Sequence, residues 1–307
     1  MIKKLLFVLI FIMAFSIPAS AKTKKKYLAL GDSITYGYGL DNREEEAYAN
    51  LFSKKHNLEL TNEAVTGDRS TDLLERLANY NIDDYDVISI CIGANDVFKI
   101  IVNDVYEKSV TEIIDYILNL DNNAEFNEKV EKNLKTLDEN LGIIMNKLKS
   151  GHAQIYMFNV YNPFNKFFAE KVKDLTDMYV KKINEVIDKH KDGTHFIDLY
   201  TKFNKSKEDL VNSESTRKDY RMDPHPTPEG HKYIYNLLSD EYELHNIDSP
   251  FLLLVIIFGI LVFLLEIIEI LYTIKKFNVK TPKNIDIEPK LEDVKEEENK
   301  SSRFIRS

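Results

Sequence analysis

Along residues 23–246, apolar positions fall into two patterns that alternate. Short β-rich runs occupy residues 27–30 (YLAL), 58–65, 87–92 (VISICI), 154–160 (QIYMFNV) and 195–199, each bounded by turn-forming residues. Between them, residues 44–56, 71–79, 126–149, 165–190 and 228–243 repeat apolar positions every three or four residues. The runs predict five strands and the helical repeats predict the helices that separate them. Strands alternating with helices make a parallel sheet, and because the runs are mainly apolar rather than alternating, helices should cover both of its faces. Residues 97–124 read as a helical excursion inserted after the third strand.

Both ends of the chain break this pattern. Residues 1–21 carry Lys3 and Lys4, an apolar stretch, and small residues ending Ala19-Ser20-Ala21, the layout of an export signal. That stretch is shorter than the roughly 20 residues that span a bilayer, so it predicts cleavage and a mature start at Lys22. Residues 251–274 (FLLLVIIFGILVFLLEIIEILYTI) are long and apolar enough to span, with acids before them and Lys275-Lys276 after. Flanking lysines favour the cytoplasmic side, so this transmembrane helix leaves residues 22–247 outside the membrane and residues 275–307 in the cytoplasm. Glu266 and Glu269 lie toward its cytoplasmic end, within reach of headgroups or of a neighbouring helix. The final 275–307 stretch, rich in Lys, Glu, Asn and Pro, predicts a disordered tail.

Charge and cysteine content narrow the function. The net charge of −9 across 307 residues becomes −11 once residues 1–21 and their two lysines are removed. Binding to nucleic acid runs on phosphate neutralisation by lysine and arginine, and this balance excludes it as an expected partner. A single cysteine, Cys91, excludes an internal disulfide framework and a cysteine-based zinc cluster.

In an open parallel sheet, ligands sit beyond the carboxyl ends of the strands, so the residues just after each run carry the chemistry. Ser33 follows the first run in Gly31-Asp32-Ser33, Gly67 follows the second, and Asn95 follows the third in Gly93-Ala94-Asn95-Asp96. A serine hydroxyl becomes a nucleophile only when a neighbouring base takes its proton. His56, His152, His190, His195, His231 and His245 sit in or beside ordinary helix and loop patterns. His225 stands instead in Asp223-Pro224-His225-Pro226, a proline-stiffened loop before the last helix. The prolines push Asp223 and His225 toward extended angles, which project residues i and i+2 to the same side, about 6.5–7 Å apart. Asp223 can then fix the His225 tautomer and leave the second ring nitrogen to accept the Ser33 proton. Acyl transfer also needs donors for the developing oxyanion, each worth about 2.7–4 kcal/mol. The Gly67 N–H, the Asn95 amide and the Ser33 N–H suit that role.

Four blocks in this order resemble those of the SGNH hydrolases, the GDSL esterases and lipases: Leu30-Gly31-Asp32-Ser33, Asn62-Glu63-Ala64-Val65-Thr66-Gly67, Gly93-Ala94-Asn95-Asp96 and Asp223-Pro224-His225-Pro226. The resemblance spans residues 26–243. It implies a flavodoxin-like three-layer α/β/α sandwich, catalytic Ser33, Asp223 and His225 with no metal or other cofactor, and an oxyanion hole from Ser33, Gly67 and Asn95. Tyr161-Asn162-Pro163-Phe164 resembles a loop that lines the cleft in some members. The chain departs from the family in one spacing: Asp-x-His stands where Asp-x-x-His is usual. A Ser33–His225 dyad oriented by a backbone carbonyl therefore stays open beside the triad.

The expected function is a membrane-anchored, extracytoplasmic serine carboxylic-ester hydrolase. Its substrate would be a small or envelope-linked ester: an acylated glycan, a lysophospholipid or a lipid ester. Thioesterase or acyltransferase chemistry would share the same acyl-enzyme. A catalytically silent surface-binding module, a flavin or nucleotide binder at the Ser33-Ile34-Thr35 turn, and a metal hydrolase using Asp223, His225 and His231 are the rivals from other classes.

Overall fold

The computed structural model describes residues 23–105, 109–120, 123–167, 169–213, 223–246 and 250–278. They belong to two compact units, Pro18–Ile247 and a second that carries residues from Asp248 onward. The predicted export signal and the predicted cytoplasmic tail beyond residue 278 lie outside the described residues.

In the first unit, β1 (Lys26–Gly31) leads through α1 (Ser33–Tyr36), α2 (Arg43–Glu46) and α3 (Tyr48–His56) to β2 (Glu59–Asn62). Next come α4 (Ser70–Leu77), β3 (Val87–Cys91), α5 (Ala94–Val105), α6 (Val110–Leu118), α7 (Ala124–Lys149) and β4 (Gln154–Phe158). The unit closes with α8 (Glu170–Asp188), β5 (His195–Ile197), α9 (Leu199–Lys205) and α10 (Pro228–His245). All five strands are parallel in the order β2-β1-β3-β4-β5. This is the α/β sandwich expected from the alternation of strands and helices.

Strand side chains alternate between two cores. Leu28, Leu30, Ile88, Ile90, Ile155 and Met157 pack with α4, α5, α7 and α8 on one face. Tyr27, Ala29, Val87, Cys91, Tyr156 and Phe158 pack with α3, α9 and α10 on the other. Helices on both sides are the reason β1, β3 and β4 are mainly apolar rather than alternating. Buried Ser89 is the polar exception on the second face, and it bonds the Tyr27 hydroxyl at 2.6 Å.

Three boundaries differ from the sequence expectation, each because a side chain supplies a backbone partner. The helix expected over residues 44–56 breaks at Ala47, whose backbone is extended (φ −66°, ψ 137°), and the Tyr48 N–H turns to His231 Nδ1 at 3.4 Å. The second strand stops at Asn62, whose side-chain oxygen accepts from the Ala64 N–H at 3.1 Å and starts a turn. The fourth strand stops at Phe158, and the Asn184 amide pairs with both the N–H and the C=O of Val160, each at 2.8 Å.

The start of α10 sets the position of the loop before it. Thr227 caps the helix by accepting from the Gly230 N–H at 3.0 Å, and Pro228 occupies the first turn. Gly230 packs so closely on a neighbouring segment that a Cβ there would lie 2.0 Å from the Leu210 carbonyl oxygen and 2.9 Å from Pro226 Cβ. Gly230→Ala is therefore expected to lower stability by about 3 kcal/mol, seen as a reduced urea midpoint at unchanged m-value. An unchanged midpoint would contradict this packing.

The second unit contains α11 (Pro250–Asn278). Its stretch Val255–Lys276, 22 residues, is long and apolar enough to cross a membrane. At 1.5 Å per residue it measures about 33 Å, close to the hydrocarbon thickness of a bilayer.

Candidate active site

Ser33 stands at the carboxyl end of β1, on the first turn of α1. Asp32 caps that turn, its Oδ1 accepting from the Ile34 N–H at 3.0 Å. The turn approaches β3 closely, because a Cβ on Gly31 would meet Cys91 O at 2.5 Å and Thr35 Oγ1 at 2.3 Å. Only glycine fits between the strand and the serine.

His225 reaches Ser33 from the loop before α10, with Nε2 3.0 Å from Ser33 Oγ. Its Nδ1 lies 2.6 Å from Asp223 Oδ1, and the same oxygen accepts the His225 backbone N–H at 3.0 Å. That second bond closes an Asx turn, which brings the carboxylate against the ring across a spacing of only two residues. Asp223 Oδ2 accepts from Asn212 Nδ2 at 3.2 Å. The loop is strapped to residues 210–212 by Asn212 N–H to His225 O (3.0 Å) and Thr227 N–H to Leu210 O (2.9 Å). The Tyr161 hydroxyl donates to Pro224 O at 2.7 Å. The Tyr38 ring lies against the His225 ring with centroids 4.6 Å apart.

Asn95 sits in the first turn of α5, just beyond β3. Its Nδ2 donates to Asp68 O at 3.0 Å and to Asp32 Oδ2 at 3.3 Å, which places the amide beside the Ser33 turn. The Gly67 loop is laid along β1 by Glu63 N–H to Ala29 O (3.0 Å) and Val65 N–H to Gly31 O (3.2 Å). Lys99 Nζ donates to Gly67 O at 3.1 Å. Among the described residues the Gly67 N–H has no acceptor. Asp96, next to Asn95, binds the start of α4 through Ser70 N–H (2.9 Å) and Ser70 Oγ (2.6 Å), which fixes the turn that follows Gly67.

The structure thus joins Ser33, His225 and Asp223 in one hydrogen-bonded line, with Asn95 beside the Ser33 turn at the start of α5 and Gly67 in the loop after β2. His231 does not join Asp223 and His225 as a metal ligand set. It is buried in α10, its Nδ1 takes the Tyr48 N–H, and burial followed by the nearby His225 holds its pKa down to about 3. Among the described residues, three candidate metal ligands gather only at His195, Glu241 and His245.

Asn212, Tyr38 and Asp32 were not identified from the sequence. Asn212 and Tyr38 carry no local signal, since their partners are fixed by tertiary contacts. Asp32 had a signal in its place directly before the serine.

Burial pushes the Asp32 carboxyl up to about 7, with the Asp68 and Asp96 charges adding to it and the Ile34 N–H and His225 opposing. An acid whose folded pKa exceeds its unfolded value of 3.8 binds its proton more tightly when folded. Its stabilising contribution is therefore complete below pH 4 and is lost as pH rises to about 7. Relative to Asp32→Asn, wild-type stability should fall by roughly 2 kcal/mol between pH 5 and pH 7, at about 1.4 kcal/mol per pH unit over most of that range. Parallel urea unfolding curves for both proteins across that range check this; a constant difference would place the proton elsewhere.

A serine hydrogen-bonded to a histidine, itself bonded to a carboxylate, at the carboxyl edge of a parallel α/β/α sheet is the arrangement of a serine hydrolase. Residues 29–233 match the model of the GDSL-like lipase/acylhydrolase family, and the chain belongs to that family. It is similar to YpmR of Bacillus subtilis, an uncharacterized protein, at 26% identity over 234 residues that cover 69% of this chain and 80% of that one. Two solved structures share the fold. An extracellular lipase from Streptomyces rimosus is 23% identical at TM-score 0.53, covering 71% of this chain and 99% of its own. Phospholipase A1 from Streptomyces albidoflavus NA297 is 17% identical at TM-score 0.53, covering 71% and 100%.

Proposed function

We propose that the protein is a membrane-anchored serine carboxylic-ester hydrolase working outside the cytoplasm through an acyl-enzyme. The observation that carries this reading is the line from Ser33 Oγ through His225 Nε2 (3.0 Å) and Nδ1 to Asp223 Oδ1 (2.6 Å). Ser33 Oγ attacks the ester carbonyl while His225 Nε2 takes its proton, and Asp223 holds the imidazolium that forms. The tetrahedral oxyanion is met by the N–H groups of Ser33 and Gly67 and by Asn95 Nδ2, whose long bond to Asp32 is exchanged for one to the substrate. His225 returns the proton to the departing alcohol. Water, activated by the same nitrogen, then attacks the acyl-serine and frees the acid.

The apolar Val255–Lys276 stretch and Lys275-Lys276 at its end support an anchor whose C-terminal flank is cytoplasmic. That location favours esters of the envelope, either lipid esters or acylated glycans. Tyr38, 48% exposed and set against His225, offers an apolar surface to the acyl or alcohol part.

The test takes the full chain in detergent, with fluorophosphonate labelling and hydrolysis of nitrophenyl esters from acetyl to long-chain. Labelling at Ser33 with turnover is the expected result. A profile peaking at acetyl would mark a deacetylase, and one peaking at long chains a lipase. Folded protein that neither labels nor turns over any ester would overturn the reading in favour of a silent binding module.

A further inference from the structure

Toward the opposite edge of the sheet from Ser33, the first residue of β5 meets the last turn of α10. His195 Nδ1 lies 3.8 Å from Glu241 Oε1, and His245 Nδ1 lies 3.4 Å from the same oxygen. The two imidazole centroids are 4.0 Å apart. One donor atom from each of the three residues lies within 4.8 Å of the other two. We propose that His195, Glu241 and His245 form a binding site for a divalent transition metal of the zinc class.

Three features carry the assignment. First, the donors are of the right kind: two imidazoles and a carboxylate suit zinc, and they come from two elements rather than from one run of surface acids. Glu241 and His245 are four residues apart on α10 and so share a face. Second, the spacing is near what a metal requires. Tetrahedral zinc with bonds of about 2.0–2.1 Å sets its ligands roughly 3.3 Å apart, so small side-chain rotations close the present cluster. Third, neither ring is hydrogen-bonded to the Glu241 carboxylate: His245 Nδ1 bonds the Glu241 main-chain oxygen at 2.9 Å instead, His195 Nδ1 stays 3.8 Å from Oε1, and two protonated rings at this separation would repel each other. A dication answers all three groups at once.

The surroundings hold the ligands in place. The His195 ring stacks on Tyr156 at 4.9 Å. Asn246, the residue after α10, bonds Gln154 Oε1 at 2.7 Å and accepts from Lys25 Nζ at 3.0 Å. The three ligand side chains are 25%, 29% and 37% exposed, which gives an ion access and leaves its fourth position to water. Bound there, the metal would tie β5 to the end of α10, five residues before α11 begins at Pro250. This proposal is independent of the chemistry at Ser33.

The experiment uses the full chain in detergent, without a histidine tag and stripped with EDTA, titrated with zinc against a chromophoric chelator. One zinc per chain is expected, with affinity falling by at least about tenfold in His195→Ala, His245→Ala and Glu241→Gln. Cobalt should give the visible absorption of a tetrahedral site, and zinc should raise the thermal midpoint of the wild type but not of His245→Ala. Circular dichroism of the variants confirms that they are folded; Glu241→Gln keeps the side chain's shape and serves if an alanine variant is not. No stoichiometric zinc in the wild type, or equal affinity in all folded variants, would overturn the site.

Discussion

Ser33→Ala is expected to lower kcat for ester hydrolysis by about 10⁴-fold or more and to abolish fluorophosphonate labelling. The serine Oγ is the atom that His225 Nε2 faces at 3.0 Å, and removing it leaves the imidazole with nothing to deprotonate except water. Residual turnover would come from the oxyanion donors and from binding, which the substitution leaves intact. Stability should barely change. Asp32 caps the turn through its own side chain, and Ser33 belongs to neither apolar core cluster. Steady-state kinetics with urea unfolding of the same preparation separate the two effects. A folded variant that keeps more than about a tenth of wild-type kcat would remove Ser33 from the nucleophile's role.

The elements that the sequence revealed are those whose cause is local. Runs such as 87–92 are apolar at every position but Ser89 because helices lie on both sides, and that property needs no knowledge of which helix covers which face. Ser33, Gly67 and Asn95 could be picked out for a related reason, since each directly follows a strand and the carboxyl edge of a parallel sheet is where its loops converge. Where a distant side chain replaces a backbone partner, the pattern fails. Ala47 looks like any helical alanine, yet the chain breaks there because His231, 183 residues from Tyr48, accepts the next N–H. Residues 159–160 look like strand, yet it is Asn184 that pairs with the Val160 backbone. The meeting of His195 with Glu241 and His245 is hidden in the sequence for the same reason, because neither helical nor strand spacing links residue 195 to residue 241.

The loop bearing His225 illustrates both cases. The prolines at 224 and 226 disclose a stiff segment, and a carboxylate two residues before the histidine discloses a partner for it. What they do not disclose is the strap. Residues 210–212 hold the loop through main-chain bonds, Gly230 allows that strap to pass close under α10, and Asn212 takes the outer oxygen of Asp223. The position of the base is thus determined jointly by α10, by the strap and by Tyr161 from the loop after β4.

Asp223→Asn is expected to reduce kcat by about 10³- to 10⁴-fold at neutral pH while leaving the loop in place. In the wild type, Oδ1 accepts both the His225 backbone N–H and Nδ1–H, and Oδ2 accepts from Asn212. An asparagine has one acceptor for these three donors. If its oxygen stays on the turn, its NH₂ opposes that of Asn212 and the negative charge that stabilises the imidazolium is gone. If it flips, its NH₂ faces Nδ1 and forces the ring proton onto Nε2, so that nothing remains to take the Ser33 proton. Asn212→Ala keeps the carboxylate and its bond to Nδ1, and its cost should be nearer tenfold, since it removes only the support of the second oxygen. Comparing kcat for the two variants with their rates of fluorophosphonate labelling distinguishes a triad from a dyad. If Asp223→Asn stays within about fivefold of wild type on both measures, a backbone carbonyl rather than Asp223 orients His225.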